Sequence, residues 1–130
     1  MDKKIVITGG VLGCLSVGIG AFAAHGLKPL LTVESLQTFE TGVRYQMYHA
    51  LFLVFVGSTN MLSKAKKTVV FYLVLLGVIL FSGSIYGLAT NTLSAFNFKS
   101  IGFVTPIGGV LMILGWLVMI LSCFNSKQDN

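Results

Sequence analysis

Glu40-Thr41-Gly42-Val43-Arg44-Tyr45-Gln46-Met47-Tyr48-His49 runs without a break into the apolar residues 50–62. At about 100° per residue, Glu40, Arg44 and Tyr48 fall along one helix face, and Thr41, Tyr45 and His49 along the next. Together they form a polar flank about half the helix wide, at the mouth of a segment otherwise fit for lipid. Any chemistry is expected there, although the sequence names no reaction.

The rest of the chain agrees with a lipid setting. Of 130 residues, 55% are apolar and 10% charged, where soluble domains carry roughly 25% charged residues. Nine basic and four acidic side chains are too few to wet the surface of so small a soluble domain. The formal charge of +5 is not a nucleic-acid footprint, because the basic residues sit in short hydrophilic gaps and not along one face. Cys14 and Cys123 lie in or at the end of apolar runs and read as small packing residues, not as a disulfide framework.

Four uncharged or nearly uncharged apolar runs emerge, at residues 5–24, 43–62 (charged only at Arg44), 68–90 and 102–124. Each is close to the ~20 residues that cross a hydrocarbon core of ~30 Å. Residues 25–42, 63–67 and 91–101 connect them. The expectation is a single all-α domain, an integral-membrane four-helix bundle. Four crossings put the N-terminus, the middle turn and the C-terminus on one side, with Lys3, Lys4, Lys64, Lys66, Lys67 and Lys127. The other side holds Lys28, Arg44 and Lys99, with Glu34 and Glu40. By the positive-inside rule both termini are expected in the cytoplasm, with the chain in the plasma (inner) membrane.

The first run invites two other readings. Lys3-Lys4, the apolar run and Ala21-Phe22-Ala23-Ala24 are laid out like a secretory signal with a cleavage site, and a run of this length suits either fate. Val11-Leu12-Gly13-Cys14 is loosely like a lipoprotein box, but the apolar stretch before the Cys is short. Residues 5–13 also read like a strand entering a dinucleotide-binding turn. That motif needs a βαβ unit and an acid about 20 residues on, and the next acid is Glu34, after a further apolar run.

The glycines make better sense as packing. Gly9, Gly13, Cys14, Ser16, Gly20 and Ala24 form small-residue ridges in the first helix, Gly83 and Gly87 in the third, and Gly108 and Gly115 in the fourth. In lipid, close backbone approach replaces the hydrophobic effect between helices. The ridges serve either helices of one chain or a homo-oligomer. Gly26 is expected to stop the first helix, with Pro29 after it, and Thr32 to cap a new one with Glu34 in its first turn. Val33, Leu36, Phe39 and Val43 lie opposite Glu34, Gln37 and Thr41, which suggests a short amphipathic interfacial helix before the second span. A continuous helix over 33–62 would be about 45 Å long, so a bend is expected near Gly42. Thr105-Pro106 fits a cap followed by a first-turn proline.

The candidate site is the polar cluster His25, Glu40, Arg44, Tyr45, Gln46, Tyr48 and His49, and each member has a plainer reading. Glu40 and Arg44 are spaced for an i, i+4 ion pair; the alternative is that Arg44 snorkels to the headgroups. If Glu40, Arg44 and His49 face the bundle, Arg44→Leu should lower the melting temperature. His49 suits either a helix–helix hydrogen bond or, with His25, a haem or metal. No further Cys, Asp or Glu lies near except Glu40, so no metal or cofactor is assigned. Ser82, Ser84 and Asn91 are placed to bond Gln46 or His49, and Trp116 needs a partner for its ring N–H. No carboxylate lies deep in a run, which disfavours a pump built on an intramembrane acid. No Ser-His-Asp, paired-carboxylate or HExxH pattern occurs, so no catalytic residue is assigned.

Residues 20–27, Gly-Ala-Phe-Ala-Ala-His-Gly-Leu, and 43–51, Val-Arg-Tyr-Gln-Met-Tyr-His-Ala-Leu, resemble the signature of the YgdD/YwdK-like small membrane proteins, domain-of-unknown-function family 423. Residues 81–86 and 105–109, with Gly115-Trp116, are similar to its later motifs; Gly42 departs from the Ala expected there. The resemblance implies a four-helix plasma-membrane protein without established activity and supplies no catalytic residues. The first functional reading is a non-enzymatic membrane protein whose outer polar cluster holds the bundle together or engages lipid or a partner. The second is a small oligomeric transporter or channel for a small solute or anion, using Arg44, Gln46 and His49. A haem or metal redox protein is the third.

Overall fold

The computed structural model of the chain describes residues 2–93, 97 and 102–125. The fold is all-helical: α1 (Asp2–Phe22) continues into a π-helical turn (Ala23–Leu27), followed by α2 (Val33–Ser58), α3 (Lys64–Ala89), a short 3-10 turn (Asn91–Leu93) and α4 (Val104–Phe124). Each α-helix packs mainly on its neighbour in sequence. One core cluster draws on all four, with Ile5 from α1, Leu53 and Val56 from α2, Phe71 and Val74 from α3, and Met112 from α4. At the lower end, Asp2 meets Lys67 in an ion pair of 3.0 Å, so the start of α1 lies beside the start of α3. At the upper end, the α1–α2 connection lies over a second cluster of Ala23, Leu27, Phe39 and Ala89.

The close approaches foreseen for glycine hold the helix pairs. A Cβ on Gly9 would lie 2.7 Å from Ala50 O, and one on Gly20 would touch Val43, so α1 rests on α2 along this ridge. Gly108 and Gly115 likewise receive α3, against Gly77 O, Phe81 N and Val74. The α3 member of that contact is Gly77 and not the predicted Gly83, which faces open space. Shape thus replaces side-chain bulk where the helices cross.

Several predicted boundaries move. Thr32 does cap α2, accepting from Ser35 N at 3.1 Å. However, α2 is one uninterrupted helix through Gly42, with no separate interfacial helix before it among the described residues. Two causes are visible. The helix stops at Ser58, so its 26 residues extend only about 39 Å. Its first apolar stripe, Leu36, Phe39 and Val43, packs on the upper cluster instead of lying in an interface. Gly42 is needed for packing: a Cβ there would meet Tyr86 Cε1 at 2.9 Å and Ile85 Cγ2 at 3.0 Å.

Gly26 does not stop α1 through a left-handed conformation, since no described glycine has positive φ. It lies inside the π turn, where a Cβ would strike the Phe22 ring at 2.7 Å. Leu30 N and Leu31 N then both donate to Leu27 O and close the helix. Lys64, Lys66 and Lys67 belong to α3, capped by Ser63, so the connecting turn is residues 59–63. The fourth helix begins at Val104 without a side-chain cap, and Thr105 bonds Ser84 instead. Most of the predicted 91–101 loop, with Lys99, and also Lys127, lies outside the described residues.

Among the described residues, three helical stretches are long and apolar enough to cross a membrane: Asp2–Leu27, Lys64–Ala89 and Val104–Phe124. Their outward faces are apolar, with Val11, Leu15 and Val17 on α1, Leu76 and Ile79 on α3, and Ile113, Leu117 and Leu121 on α4 all exposed. Exposed large apolar faces on this scale mark a surface meant for something other than water.

Candidate functional site

The polar run of α2 divides between two directions. Phe39, Gly42, Gln46 and His49 are buried, while Arg44, Tyr45 and Tyr48 are exposed and Glu40 and Thr41 are half-buried. These positions interleave because Gln46 and His49 lie close to one side of the helix wheel while Arg44 and Tyr48 lie across it.

Gln46 ties three helices together. Its Nε2 donates to Leu12 O of α1 at 2.9 Å, and its Oε1 accepts from the Tyr86 hydroxyl of α3 at 2.6 Å. One turn above, Ser82 Oγ donates to Gly42 O at 2.7 Å. Gln46 also accounts for an orphan. A helical serine ordinarily bonds the carbonyl four residues back, which for Ser16 is Leu12 O, and Gln46 already occupies it. The Ser16 hydroxyl is left buried without a partner among the described residues.

His49 links α2 to α4. Trp116 Nε1 lies 3.1 Å from His49 Nε2, and His49 Nδ1 lies 2.7 Å from Tyr45 O. An indole N–H only donates, so Nε2 is the acceptor. The proton therefore sits on Nδ1 and is donated to Tyr45 O. This fixes a neutral ring with both nitrogens in use. Trp116 also stacks on Phe52, ring centroids 3.8 Å apart at 11°.

The structure separates what spacing had grouped. His25 is exposed in the π turn and His49 is buried with both nitrogens engaged, so the pair offers no shared ligand site. Among the described residues no group of three metal-ligating side chains forms. The Glu40–Arg44 ion pair is not made: Arg44 Nη2 donates to Thr41 Oγ1 at 3.0 Å, and the Asp2–Lys67 bridge is the one ion pair described. Tyr45 and Tyr48 pack on each other with centroids 5.5 Å apart. Ser82 and Ser84 bond Gly42 O and Thr105, not Gln46 or His49. Sequence reasoning did not find Leu12 O, because a main-chain acceptor leaves no mark in composition, nor did it find Tyr86 as the partner of Gln46.

A helical array with apolar outward faces, and with the polar side chains of Gln46 and His49 closed on neighbouring helices, defines a small helical membrane protein. The family model described as a protein of unknown function, DUF423, matches residues 19–109, and the chain belongs to that family. A UPF0382 membrane protein of Staphylococcus haemolyticus is 40% identical over 122 residues, covering 94% of this chain and 96% of its own length. The UPF0382 membrane protein YwdK of Bacillus subtilis is 37% identical over 122 residues, with coverage of 92% and 95%. One from Haemophilus influenzae is 34% identical over 128 residues, with coverage of 98% and 99%. No solved structure matches the chain.

Proposed function

We propose that the chain is a non-enzymatic protein that crosses the plasma membrane four times with both termini in the cytoplasm. Its upper polar cluster would bind the helices to one another on the inside and meet lipid or a partner on the outside. The observation that carries this reading is the closure of the two buried polar side chains of α2: both ring nitrogens of His49 and both polar atoms of the Gln46 amide are engaged within the bundle. Groups so engaged are not free to line a path for a solute or to move a proton. Glu40, Arg44 and His49 do not converge on one point, as a reacting centre would require.

The polar helix α2 is read as the fourth crossing because it packs along α1 on one side and α3 on the other, both of them long and apolar enough to span. A helix carried between two spans crosses with them. Orientation follows from the lysines gathered at the lower end, Lys3, Lys4, Lys64, Lys66 and Lys67. Gly9, Gly20, Gly77, Gly108 and Gly115 are used between helices of one chain, so a homo-oligomer would rest on the outward Gly10, Gly18 and Gly83. Topology fusions test the reading. A C-terminal green fluorescent protein should fluoresce and a C-terminal alkaline phosphatase stay inactive, while phosphatase fused after residue 31 should be active. An active C-terminal phosphatase would refute it.

A further inference from the structure

We infer that the exposed upper face of α2 is a binding site for the phosphate of an anionic phospholipid, held by Arg44 and Thr41. This rests on the reading above that α2 crosses the bilayer. Arg44 lies 14 residues from the Ser58 end of α2, or about 21 Å along the axis. With one boundary of the hydrocarbon at the polar turn 59–63, the Arg44 backbone lies about 9 Å inside the other boundary of a core about 30 Å thick. A guanidinium at that depth must reach toward the headgroups. The observed rotamer does so: Nη2 points up the helix to Thr41 Oγ1, one turn nearer the upper end.

The remaining donors call for an acceptor. Arginine presents five N–H groups in a fixed fork, and among the described residues Thr41 is the one partner they have. Glu40, the carboxylate spaced to pair with it, makes no ion pair with Arg44, although it and Glu34 line the same surface depression as Thr41 and Arg44; the phosphate is therefore taken on the Thr41 side of the guanidinium. Where a bilayer thins around such a cation, the headgroups that come down to it supply phosphate oxygen, whose geometry suits the fork in two-point contact. A net negative headgroup is favoured over a zwitterionic one, because the latter brings its own cation to its phosphate. Directly below, the exposed Tyr48 ring, with Tyr45 against it, offers an aromatic wall for the first part of an acyl chain. Cation, hydroxyl and rings thus follow the order of a lipid's phosphate, glycerol and chain.

Native mass spectrometry of the delipidated full chain in neutral detergent tests this, with phosphatidylglycerol or phosphatidylcholine of identical chains titrated in. One phosphatidylglycerol is expected to bind in preference to phosphatidylcholine. Arg44→Gln should weaken phosphatidylglycerol by about tenfold, the loss of one charge-assisted contact, and leave phosphatidylcholine unmoved. Arg44→Lys should be intermediate, and Lys28→Gln, which removes another upper-end cation, without effect. Arg44 is exposed and bonds only Thr41, so the variants keep the fold. The inference is overturned by equal affinities for the two lipids, by Arg44→Gln binding like the wild type, or by Lys28→Gln weakening binding equally. Displacement of the lipid by millimolar inorganic phosphate overturns it too, since the site would then be for a free anion. Detergent exposes both ends of the bundle, so a wrong orientation would appear in the fusion experiment and leave this binding intact.

Discussion

Gly108→Ala adds one methyl group at the point where α3 and α4 come closest, and the structure sets its cost. The new Cβ would press on Phe81 N, and would lie 2.8 Å from Gly77 O and 2.9 Å from Phe81 Cα. All three are backbone atoms, so no side-chain rotation relieves the clash. Ordinary contact begins at 3.4 Å, so the two helices must part by at least about 0.6 Å, enough to forfeit a quarter or more of the dispersion between them. Overpacking of this kind costs about 1–3 kcal/mol, offset by up to about 1 kcal/mol from the better helix propensity of alanine. The net expectation is a loss of about 2 kcal/mol, read as a fall of several degrees in thermal melting in mild detergent. Trp116 on α4 is the chain's one tryptophan and reports the transition. Gly83→Ala is the control, since its Cβ meets nothing within 4 Å; its melting temperature should be unchanged or slightly raised. A Gly108→Ala protein as stable as the wild type, or a Gly83→Ala protein equally destabilised, would refute the packing argument.

Further outcomes follow from the polar seam. A double-mutant cycle of Gln46→Leu and Tyr86→Phe should give a coupling of about 0.6–1.7 kcal/mol, the range for hydrogen bonds between membrane helices; additive effects would deny the bond. Ser16→Ala removes a buried hydroxyl with no partner and should raise stability or leave it unchanged, whereas a serine bonded within the bundle would lose about 1 kcal/mol. His49→Leu takes away the acceptor of the Trp116 ring N–H and should shift Trp116 emission to the blue, while Tyr48→Leu, on the exposed face, should not. Arg44→Leu, which should destabilise only if Arg44 faced the bundle, is expected to move detergent stability by less than about 0.5 kcal/mol; a larger fall would place the side chain inside.

Much of the fold is legible in the chain because lipid imposes a simple code. Runs of about 20 apolar residues, Thr32 before Glu34, and glycines at four-residue spacing each state a local requirement. The site is less legible. The run from Glu40 to His49 is polar on more than one side, so polarity cannot tell the inward Gln46 and His49 from the outward Arg44 and Tyr48. That choice is made by Leu12 O, Tyr86 and Trp116, which lie 34, 40 and 67 residues from their partners. Distances of that order leave no periodic signal. The continuity of α2 is hidden for the same reason: Gly42 reads as a weak point in isolation and becomes a fitted contact only once Tyr86 and Ile85 lie against it.

The proposed passage of α2 through the bilayer underlies the topology and the lipid site, and impermeant maleimide labelling tests it most directly. In a chain carrying Cys14→Ser and Cys123→Ser, Gln37→Cys and Asn60→Cys place single thiols on exposed residues at the two ends of α2. Intact spheroplasts should label Gln37→Cys, and Asn60→Cys only after permeabilisation. Labelling of both thiols from the same side would contradict the crossing.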